Sequence, residues 1–418
     1  MRPNTFQSDF YQNNRQRLAS QLKSHSVAVL HSNHKMPTNA DSTHPFIQNS
    51  DLFYLTGIDQ EDTTLLLVPD APNEKMKEVI LIRHTDDHVL TWEGQKITKE
   101  EARKISGVET ILWHHEFENT FHQLAIGCEH IYLNANEHTR AENLVKNKDE
   151  QFIDWCKTNL PLHSYQRLAP ILHQLRVFKQ DFEIKQIKTA CDITKKGFER
   201  VAKFLKPKVF EYELEAELIH EFIRNGSKGF AYQPIIASGS NTCVLHYVTN
   251  QNQCYDGDLV LLDVASEYGN YKSDLTRVLP VNGKFNKRQK EVYQAVLNMF
   301  HYAKKILKPG LNFEEYNKAI GEKAEEELIT LGLFDLKEVR NQDKKSPLYK
   351  RYFMHGISHF LGLDVHDVGN MRGKIEANMV LTCEPGIYIR KEGIGIRLEN
   401  DILITQNGNL DLMDSIPI

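Results

Sequence analysis

The chain has 418 residues, of which 40% are hydrophobic and 26% are charged, a composition typical of a globular protein of two or three domains. Its formal net charge of −5 gives no basic surface for nucleic acid, and no apolar run approaches the roughly 18 residues that a membrane helix needs. The six cysteines are scattered and include no CxxC pair, which argues against a disulfide framework and a zinc site of that type. The first 20 residues also lack the apolar core and cleavage site of a signal peptide. We therefore expect a cytoplasmic protein without nucleic-acid or membrane partners.

The N-terminal region alternates short β-rich runs with helical stretches, the pattern of an α/β domain. The β-rich runs are SVAVLHS (26–32), TTLLLVP (63–69), EVILIRH (78–84) and HIYLNAN (130–136). The helical stretches are KEEARKIS (99–106) and EFENTFHQLAIG (116–127). Two prolines, Pro161 and Pro170, stand in an irregular segment after the last of these runs. We predict a smaller α/β domain over residues 1–174 and a second domain over residues 175–418.

Two helices open the second domain. Apolar residues spaced three and four apart from Ile184 to Leu205 predict a long amphipathic helix. It should end before Lys206–Pro207, because the residue before a proline is disfavoured in the helical conformation. EYELEAELIHEFIRN (211–225) predicts the second helix, which the C-cap Asn225–Gly226 would close.

A related pattern returns about a hundred residues later. FLKPKVFEYEL (204–214) resembles ILKPGLNFEEY (306–316), and each segment ends one helix and opens the next. A β-hairpin candidate follows in each half, over residues 258–279 and 378–405. We therefore predict an internal duplication of a helix–helix–hairpin unit.

The first hairpin contains two aspartates, although strand interiors disfavour this residue. Gly269–Asn270 between two strand-like runs is a two-residue hairpin signal. With the turn there, Asp263 opposes Thr276, and Asp274 lies diagonally across from Asp263 on the same face. Their side chains would then be roughly 7 Å apart, so the carboxylates can converge. Two buried anions this close need a shared proton or a metal ion, and oxygen ligands suit magnesium, manganese or calcium.

The second hairpin repeats this feature. With its turn centred on Lys391–Glu392, Glu384 directly opposes Glu399. Four carboxylates on facing hairpins are the ligand set of a two-metal site, with ions about 3.5–4 Å apart. The alternative is that each acid is a solvated strand residue, which is the commoner situation for any single acid.

The segment MHGISHFLGLDVHDVG (354–369) holds His355, His359 and His366. Gly356 stands where an HExxH zinc helix has its glutamate, so that motif is absent and a helix is disfavoured. One imidazole joining the four carboxylates would favour manganese, cobalt or iron over calcium. The other two could donate hydrogen bonds to a substrate.

A fourth candidate, His246, ends another apolar run, VLHYVTN (244–250). A single histidine more often has a core or surface role than a ligating one. Three histidines within twelve residues of a glycine-rich segment favour an active-site loop instead.

Together these stretches resemble the pita-bread metallopeptidases, most closely the aminopeptidase P (Xaa-Pro aminopeptidase) branch, with prolidase as a close relative. The motifs, in chain order, are IIASGSNTCVLHYVTN (235–250), LLDVASEYGNYKSDLTRVLPVNGKF (261–285), FMHGISHFLGLDVHDVG (353–369), CEPGIYI (383–389) and GIGIRLEND (393–401). IQNSDLFYLTGID (47–59) resembles a segment of the domain that precedes the catalytic one in these enzymes. The resemblance implies an α/β (α+β) fold: a pita-bread catalytic domain with an internal pseudo-twofold repeat, preceded by a smaller creatinase-like α/β domain.

The resemblance also implies an activity. The family's aminopeptidases remove the N-terminal residue from peptides with proline in the second position (Xaa-Pro-Yaa), through a metal-bridged hydroxide. Two divalent metal ions, usually manganese (Mn²⁺), would be bound by Asp263, Asp274, His359, Glu384 and Glu399. Of these ligands, Asp274 and Glu399 would bridge the two ions.

Catalytic and substrate-binding roles carry over in the same way. Glu384 would also shuttle a proton, since it would touch both metal and water. His246 and His366 would stabilise the oxyanion and position the substrate, and His355 would help to shape a pocket for the proline ring. Arg397 would brace the substrate site.

Three departures from the family pattern fall on positions that are not ligands. Ala265–Ser266 replaces part of a glycine-rich turn, and Asn400 replaces an acid after the last glutamate ligand. Ala377–Asn378 replaces a Pro-Gly pair. Asparagine tolerates the left-handed conformation, so we expect that last turn to survive.

Two other functions stay open at this point: a prolidase that cuts only dipeptides, and an inactive pita-bread domain that binds proteins. The second is disfavoured because all five ligand positions are filled. The expected partners are peptides with a penultimate proline and further copies of the chain, because the family is often dimeric or tetrameric. Trp92, in TWEGQ (91–95), resembles part of a family loop that reaches a neighbouring subunit's cleft. The alternative is an ordinary packed or surface tryptophan.

Overall fold

The structure is a computed structural model of the 418-residue chain and describes residues 7–142 and 144–418. Residues 1–6, which begin the stretch predicted to lack a signal peptide, lie outside the described residues, as does residue 143. Contacts divide the chain into two compact units, and the division falls between Arg176 and Val177. In the part of the chain that the structure describes, no helix has the length and apolar character needed to cross a bilayer.

A sheet with the strand order β4-β3-β2-β1-β5-β6 organises the first unit. Its strands are β1 (Ser26–His31), β2 (Thr64–Leu67), β3 (Glu78–Ile82), β4 (Thr110–Trp113), β5 (His130–Leu133) and β6 (Ser164–Arg167). Strand β2 runs antiparallel to both of its neighbours, and the other pairs are parallel. The four predicted runs form β1, β2, β3 and β5. The sequence analysis does not find β4 and β6, because only one residue of β4 and none of β6 is buried.

Helices pack around this sheet and complete the α/β domain predicted from the alternating pattern. They are α1 (Ser8–Ala19), α2 (Ser50–Thr56), α3 (Asp87–Trp92), α4 (Lys99–Ser106), α5 (Phe117–Ala125), α6 (Lys148–Asn159) and α7 (Ala169–Val177). The two predicted helical stretches become α4 and α5. Helix α4 is sharply delimited: Thr98 and Glu101 form a capping box at its start, and Gly107 ends it with a left-handed φ of +74°.

The second unit contains two long helix pairs. Its helices are α8 (Asp181–Phe204), α9 (Glu211–Arg224), α10 (Lys287–Ile306), α11 (Phe313–Thr330) and α12 (Leu336–Arg340). Helix α8 ends before Lys206–Pro207, as predicted, and Gly226 follows α9 with a left-handed φ of +92°. Helix α8 packs on α9, and α10 packs on α11.

The strands of the second unit form short antiparallel ladders. They are β7 (Ile235–Ser238), β8 (Leu259–Asp263), β9 (Glu267–Tyr268), β10 (Tyr271–Lys272), β11 (Thr276–Pro280), β12 (Val380–Cys383), β13 (Gly386–Ile389), β14 (Ile394–Arg397), β15 (Asn400–Thr405) and β16 (Gly408–Asp411). The helix pair α8–α9 precedes β8–β11, and the pair α10–α11 precedes β12–β15. The order helix, helix, interrupted hairpin therefore occurs twice, as the duplicated sequence pattern predicts.

Both predicted hairpin registers are confirmed. Gly269 and Asn270 have left-handed φ angles of +58° and +68°, and Asp263 pairs with Thr276 across β8 and β11. In the second hairpin, Gly386 pairs with Arg397 in one ladder and Cys383 pairs with Asn400 in the next. The same register places the residue after Cys383, Glu384, opposite the residue before Asn400, Glu399.

Candidate active site

The four acids stand at the ends of strands or just outside them, where the ladders break. Asp263 is the last residue of β8, and Asp274 lies two residues before β11. Glu384 directly follows β12, and Glu399 directly precedes β15. Strand interiors disfavour aspartate, and these positions satisfy that preference while keeping the predicted register. An isolated bridge between Thr276 and Glu399 joins the two hairpins at this point.

Three of the five predicted ligands converge tightly. Ligand atoms of Asp274, His359 and Glu399 all lie within 4.8 Å of one another, and the three side chains are buried. The Nε2 atom of His359 is 3.4 Å from a carboxylate oxygen of Asp274 and 3.7 Å from one of Glu384. Its Nδ1 atom lies 2.9 Å from the carbonyl oxygen of Phe360, which can only accept. Nδ1 is therefore the protonated nitrogen of the neutral ring, and Nε2 is left free to ligate a metal.

Asp263 occupies the other side of this group. One of its oxygens accepts a hydrogen bond from the Arg397 guanidinium, and the other lies 2.6 Å from the hydroxyl of Tyr232. The same hydroxyl is 2.6 Å from a carboxylate oxygen of Asp274. A hydroxyl carries one proton and donates to one carboxylate at a time. Tyr232 therefore holds the two aspartates together without neutralising either of them.

Burial and mutual repulsion raise the pKa values of Asp263, Glu384 and Glu399. Burial raises the pKa of Glu384 to about 7, while His359 and Arg397 oppose the rise. Burial, followed by the charge of Asp274, raises the pKa of Glu399 well above its usual range, and burial also raises that of Asp263. Clustered carboxylates behave this way when they lack compensating positive charge.

The imidazole of His359 responds in the opposite sense. Burial alone lowers its pKa, but the hydrogen bond with Asp274 and the charge of Glu384 outweigh burial and raise it to about 9. Protons retained by these side chains thus balance part of the negative charge of the acids. Buried carboxylate oxygens joined by one imidazole nitrogen are a donor set that suits divalent metal ions of intermediate hardness, so the residues fit the predicted group.

His355 uses both of its ring nitrogens within the chain. Its Nδ1 lies 2.7 Å from the carbonyl oxygen of Gly356, and its Nε2 lies 2.8 Å from the hydroxyl of Tyr388. Burial, followed by the charge of Arg397, lowers the pKa of His355 to about 3, so the ring is neutral at physiological pH. The same Nδ1 is 3.6 Å from Glu384, which places the ring beside the acids.

The other two candidate histidines lie nearby. The His366 ring makes an edge contact with the His359 ring, with 4.4 Å between centroids. His246 is exposed, and its charge adds to the lowering of the pKa of His355. The geometry therefore groups all four histidines with the four acids, but only His359 lies among the closest ligand atoms.

Three contacts that the sequence analysis does not foresee organise the site. Tyr232 joins two aspartates, as described above. Thr276 accepts a hydrogen bond from Arg397 at 3.0 Å and donates one to Glu399 at 2.6 Å. The hydroxyl of Tyr388 accepts a hydrogen bond from Arg397 at 2.7 Å. Thr276 and Tyr388 fall inside the quoted motifs, but Tyr232 precedes them and leaves no signal in the sequence pattern.

The departures from the family pattern are accommodated without disturbing these acids. Asn378 adopts a left-handed φ of +70°, as predicted. The Oδ1 atom of Asn400 accepts a hydrogen bond from Arg277 at 2.7 Å, and its Nδ2 atom donates to Asp411. The side chain of Asn400 is thus engaged with residues outside the ligand set.

Known families match both units. Residues 185–406 match metallopeptidase family M24, and residues 11–132 match the aminopeptidase P N-terminal domain. The Xaa-Pro aminopeptidase of Escherichia coli is 35% identical over 97% of this chain and 94% of its own length. The Xaa-Pro aminopeptidase of Haemophilus influenzae is 33% identical with the same coverage.

Solved structures show the same similarity in three dimensions. A glutamate-to-alanine variant of E. coli aminopeptidase P in complex with substrate superposes with a TM-score of 0.87, at 34% identity over 99% of this chain and 96% of that chain. E. coli aminopeptidase P with the inhibitor Pro-Leu gives the same values. The buried acids and His359 lie within the region matched to the catalytic family. The chain therefore belongs to metallopeptidase family M24, with an N-terminal domain of the aminopeptidase P type.

Proposed function

We propose that this chain is a metal-dependent Xaa-Pro aminopeptidase, which removes the N-terminal residue from peptides with proline in the second position. Relatives that match nearly the whole chain carry this name, and no feature of the site favours the prolidase alternative. The observation that carries the proposal is the buried convergence of Asp274, His359 and Glu399, with Asp263 and Glu384 beside them.

Two divalent ions would be held by Asp263, Asp274, His359, Glu384 and Glu399. When bound, such ions lower the pKa of water and polarise a peptide carbonyl. The carboxylate of Glu384 lies next to His359 and His355 and is positioned to accept and return a proton.

The neighbouring side chains divide the remaining tasks. His366, beside His359, and the exposed His246 are positioned to donate hydrogen bonds to the substrate backbone and to charge that develops on the scissile carbonyl. Neutral His355, hydrogen-bonded to Tyr388, would form the wall on which the proline ring packs. Arg397 fixes the carboxylate of Asp263 and the hydroxyls of Thr276 and Tyr388, which keeps this wall and the ligand set in one geometry.

A comparison of a tripeptide with a dipeptide tests the activity. We expect metal-loaded protein to hydrolyse Xaa-Pro-Yaa to the free amino acid Xaa and the dipeptide Pro-Yaa. Turnover of the dipeptide Xaa-Pro should be low. A preference for the dipeptide would make the chain a prolidase instead. An absence of turnover on both, despite bound metal, would leave only a binding function.

Manganese is the metal that we propose. One imidazole nitrogen among carboxylate oxygens favours manganese, cobalt or iron over calcium, and the family resemblance selects manganese. A zinc-substituted form of the E. coli enzyme has been crystallised with product, so metal exchange is a practical test. Stripped protein reloaded with manganese should show the highest kcat, and a higher kcat with another ion would revise the assignment.

We also propose a cytoplasmic homo-oligomer. All six cysteines are buried and unpaired, which agrees with a reducing compartment. Trp92 ends α3 with 76% of its surface exposed, so it is not a packed residue, and an ordinary surface role is the alternative to the one proposed. Such exposed aromatic groups are enriched in interfaces. Trp92→Ala should lower tripeptide turnover or weaken assembly in sedimentation, and an unchanged result in both would remove this role.

A further inference from the structure

Glu211 is a buried carboxylate whose hydrogen-bond partners are all uncharged. It is the first residue of α9 and is 0% exposed. Its Oε1 accepts hydrogen bonds from the backbone N–H and the hydroxyl of Ser238, both at 2.7 Å. Its Oε2 accepts from the hydroxyl of Tyr247 and the backbone N–H of Asn252, both at 2.9 Å. Four donors fill the lone-pair sites of one carboxylate, and the start of a helix further favours a negative charge.

These donors come from one stretch of chain. Ser238 is the last residue of β7, Tyr247 directly follows His246, and Asn252 lies five residues further on. We name residues 239–252 the His246 segment. The carboxylate of Glu211 therefore holds its start, its middle and its end. A return hydrogen bond of 2.9 Å, from the backbone N–H of Glu211 to the carbonyl of Asn252, closes this attachment.

None of the residues that the structure describes forms a hydrogen bond with the side chain of His246. It is exposed, and its flanking residues Val244 and Val248 are 50% and 37% exposed. An exposed imidazole keeps a defined position only if its backbone does, and the backbone here is tied through Glu211. We propose that Glu211 is a positioning residue that acts through His246 in the reaction. This inference rests on the proposed function, in which His246 binds the substrate.

The charge of Glu211, and not only its shape, is what this role requires. A glutamine at this position keeps one acceptor oxygen but replaces the other with an amide that donates. In either orientation that amide would face a backbone N–H, of Ser238 or of Asn252, which cannot reverse its own direction. Glu211→Gln should therefore release one end of the His246 segment while leaving a side chain of the same size.

The test compares Glu211→Gln with Glu213→Gln, a matched control in the same first turn of α9. Glu213 accepts a hydrogen bond only from the backbone N–H of Phe210, at 2.7 Å, and glutamine can keep that bond. We expect Glu211→Gln to lower kcat/KM on an Xaa-Pro-Yaa peptide by roughly 10- to 100-fold, the scale of a displacement near 1 Å. Metal content should stay at its native value, and the control should remain within about twofold of native kcat/KM.

A double-mutant cycle distinguishes the loss of His246 positioning from a general disturbance of the fold. In a His246→Ala background the further loss from Glu211→Gln should shrink to less than about threefold, since the residue to be positioned is gone. An equal loss in both backgrounds would overturn the inference. If Glu211→Gln does not fold, Tyr247→Phe removes one donor only and should show a smaller loss with the same dependence on His246.

Hydrogen exchange gives a readout that does not depend on activity. Amides of residues 239–252 should exchange faster in Glu211→Gln than in the native chain or in Glu213→Gln. Faster exchange with undiminished kcat/KM would overturn the positioning role, and so would unchanged exchange. If the native chain does not hydrolyse Xaa-Pro-Yaa peptides, the proposed function fails and the catalytic part of this inference fails with it, while exchange still decides whether Glu211 holds the segment.

Discussion

At the scale of single residues, positive charge is shared unevenly among the four acids of this site. Arg397 binds only Asp263 directly among the four acids, and it is fixed in turn by Thr276 and Tyr388. The carboxylates of Asp274, Glu384 and Glu399 face the imidazole of His359 instead. Several buried anions that share so little positive charge are costly unless a cation or protons join them. The residues thus define a place for metal ions and not an ordinary ion-pair network.

A fifth acid, Asp401, contacts the backbone of one of these four. Asp401 is fully buried and accepts a hydrogen bond from the backbone N–H of Asp274 at 3.0 Å. Its same oxygen accepts a weak hydrogen bond from the thiol of Cys191 at 3.4 Å. Burial, followed by the charge of Asp274, raises the pKa of Asp401 well above its usual range. The backbone of Asp274 is thereby fixed independently of its side chain.

The cysteines should have no part in the reaction. Cys383 precedes Glu384, but it is fully buried, and burial raises its pKa well above the usual range. Burial likewise raises the pKa of Cys156 and of Cys254 to about 12. A thiol must ionise and be accessible to react. We expect iodoacetamide treatment of the native protein to leave tripeptide turnover largely intact, and rapid inactivation that a substrate peptide prevents would contradict this.

At the scale of secondary-structure elements, the turns decide where the acids meet. The Gly269–Asn270 turn fixes the first hairpin, and its register brings Asp263 and Thr276 together. The second hairpin keeps one register through two ladders, and Glu384 and Glu399 face each other where these ladders are separated. A slip of one residue would move these side chains to the opposite face.

A buried ion pair holds the element that carries His366. The ammonium of Lys179 lies 2.9 Å from a carboxylate oxygen of Asp367, and both side chains are 1% exposed. Gly362 packs directly against this pair, since a Cβ atom there would lie 2.1 Å from that oxygen. Asp367 directly follows His366, and its N–H donates to the carbonyl of Phe360 at 2.9 Å. The ion pair therefore anchors the loop that carries His366.

Removing one partner of this pair should be far more costly than removing both. Lys179→Met leaves the Asp367 carboxylate buried without its cation, and we expect a loss of about 3–5 kcal/mol in the free energy of unfolding. Lys179→Met combined with Asp367→Asn removes both charges of this pair and should recover much of this loss. Urea denaturation of both variants measures the difference. A single variant as stable as the native chain would show that the pair contributes little.

These elements also show how far the sequence predicts the site. Turn chemistry and side-chain alternation are local, so they locate the four acids and their partners across the hairpin. Tyr232 lies 31 residues before Asp263, in an irregular stretch ahead of β7, and its approach depends on tertiary packing that no local pattern encodes. The same limit applies to Asp401, whose partner Asp274 is 127 residues away. Short strands such as β6 are not predicted for a different reason. Too few of their residues are buried to give a recognisable hydrophobic pattern.

At the scale of the whole molecule, the duplication within the second unit creates the site. Each half supplies two acids from one interrupted hairpin, and the Thr276–Glu399 bridge brings the halves together. His359 enters from the segment between the helices and the second hairpin. Neither half alone has the complete donor set. Metal binding should therefore stabilise the second unit as a whole, because the proposed ligands come from both halves.

Metal-free protein should lose stability as the pH rises. The pKa of Glu384 is raised to about 7, so its contribution is present at low pH and is lost as the pH rises through 7. The pKa of His359 is raised to about 9, so its contribution is present below its usual pKa and is lost as the pH rises through 9. Bound metal ions replace these protons and should remove the dependence.

Thermal unfolding between about pH 6 and pH 8.5, with and without a chelator, measures this effect. We expect the difference in Tm between metal-loaded and stripped protein to widen steadily with increasing pH. A difference that stays constant or narrows over this range would contradict the assignment of these two groups to the metal site.

The most direct test of the account pairs metal stoichiometry with turnover in Glu384→Gln and Asp274→Asn. Glutamine at position 384 keeps one ligand oxygen but cannot shuttle a proton, so kcat on Xaa-Pro-Yaa should fall by about 10²–10⁴-fold, the usual cost of losing acid–base catalysis. Asparagine at position 274 removes a negative charge from the proposed ligand set, so both metal content and turnover should fall. Elemental analysis beside kcat distinguishes the two outcomes. If both variants keep two metal ions per chain and near-native kcat, the two-hairpin site is not the catalytic centre.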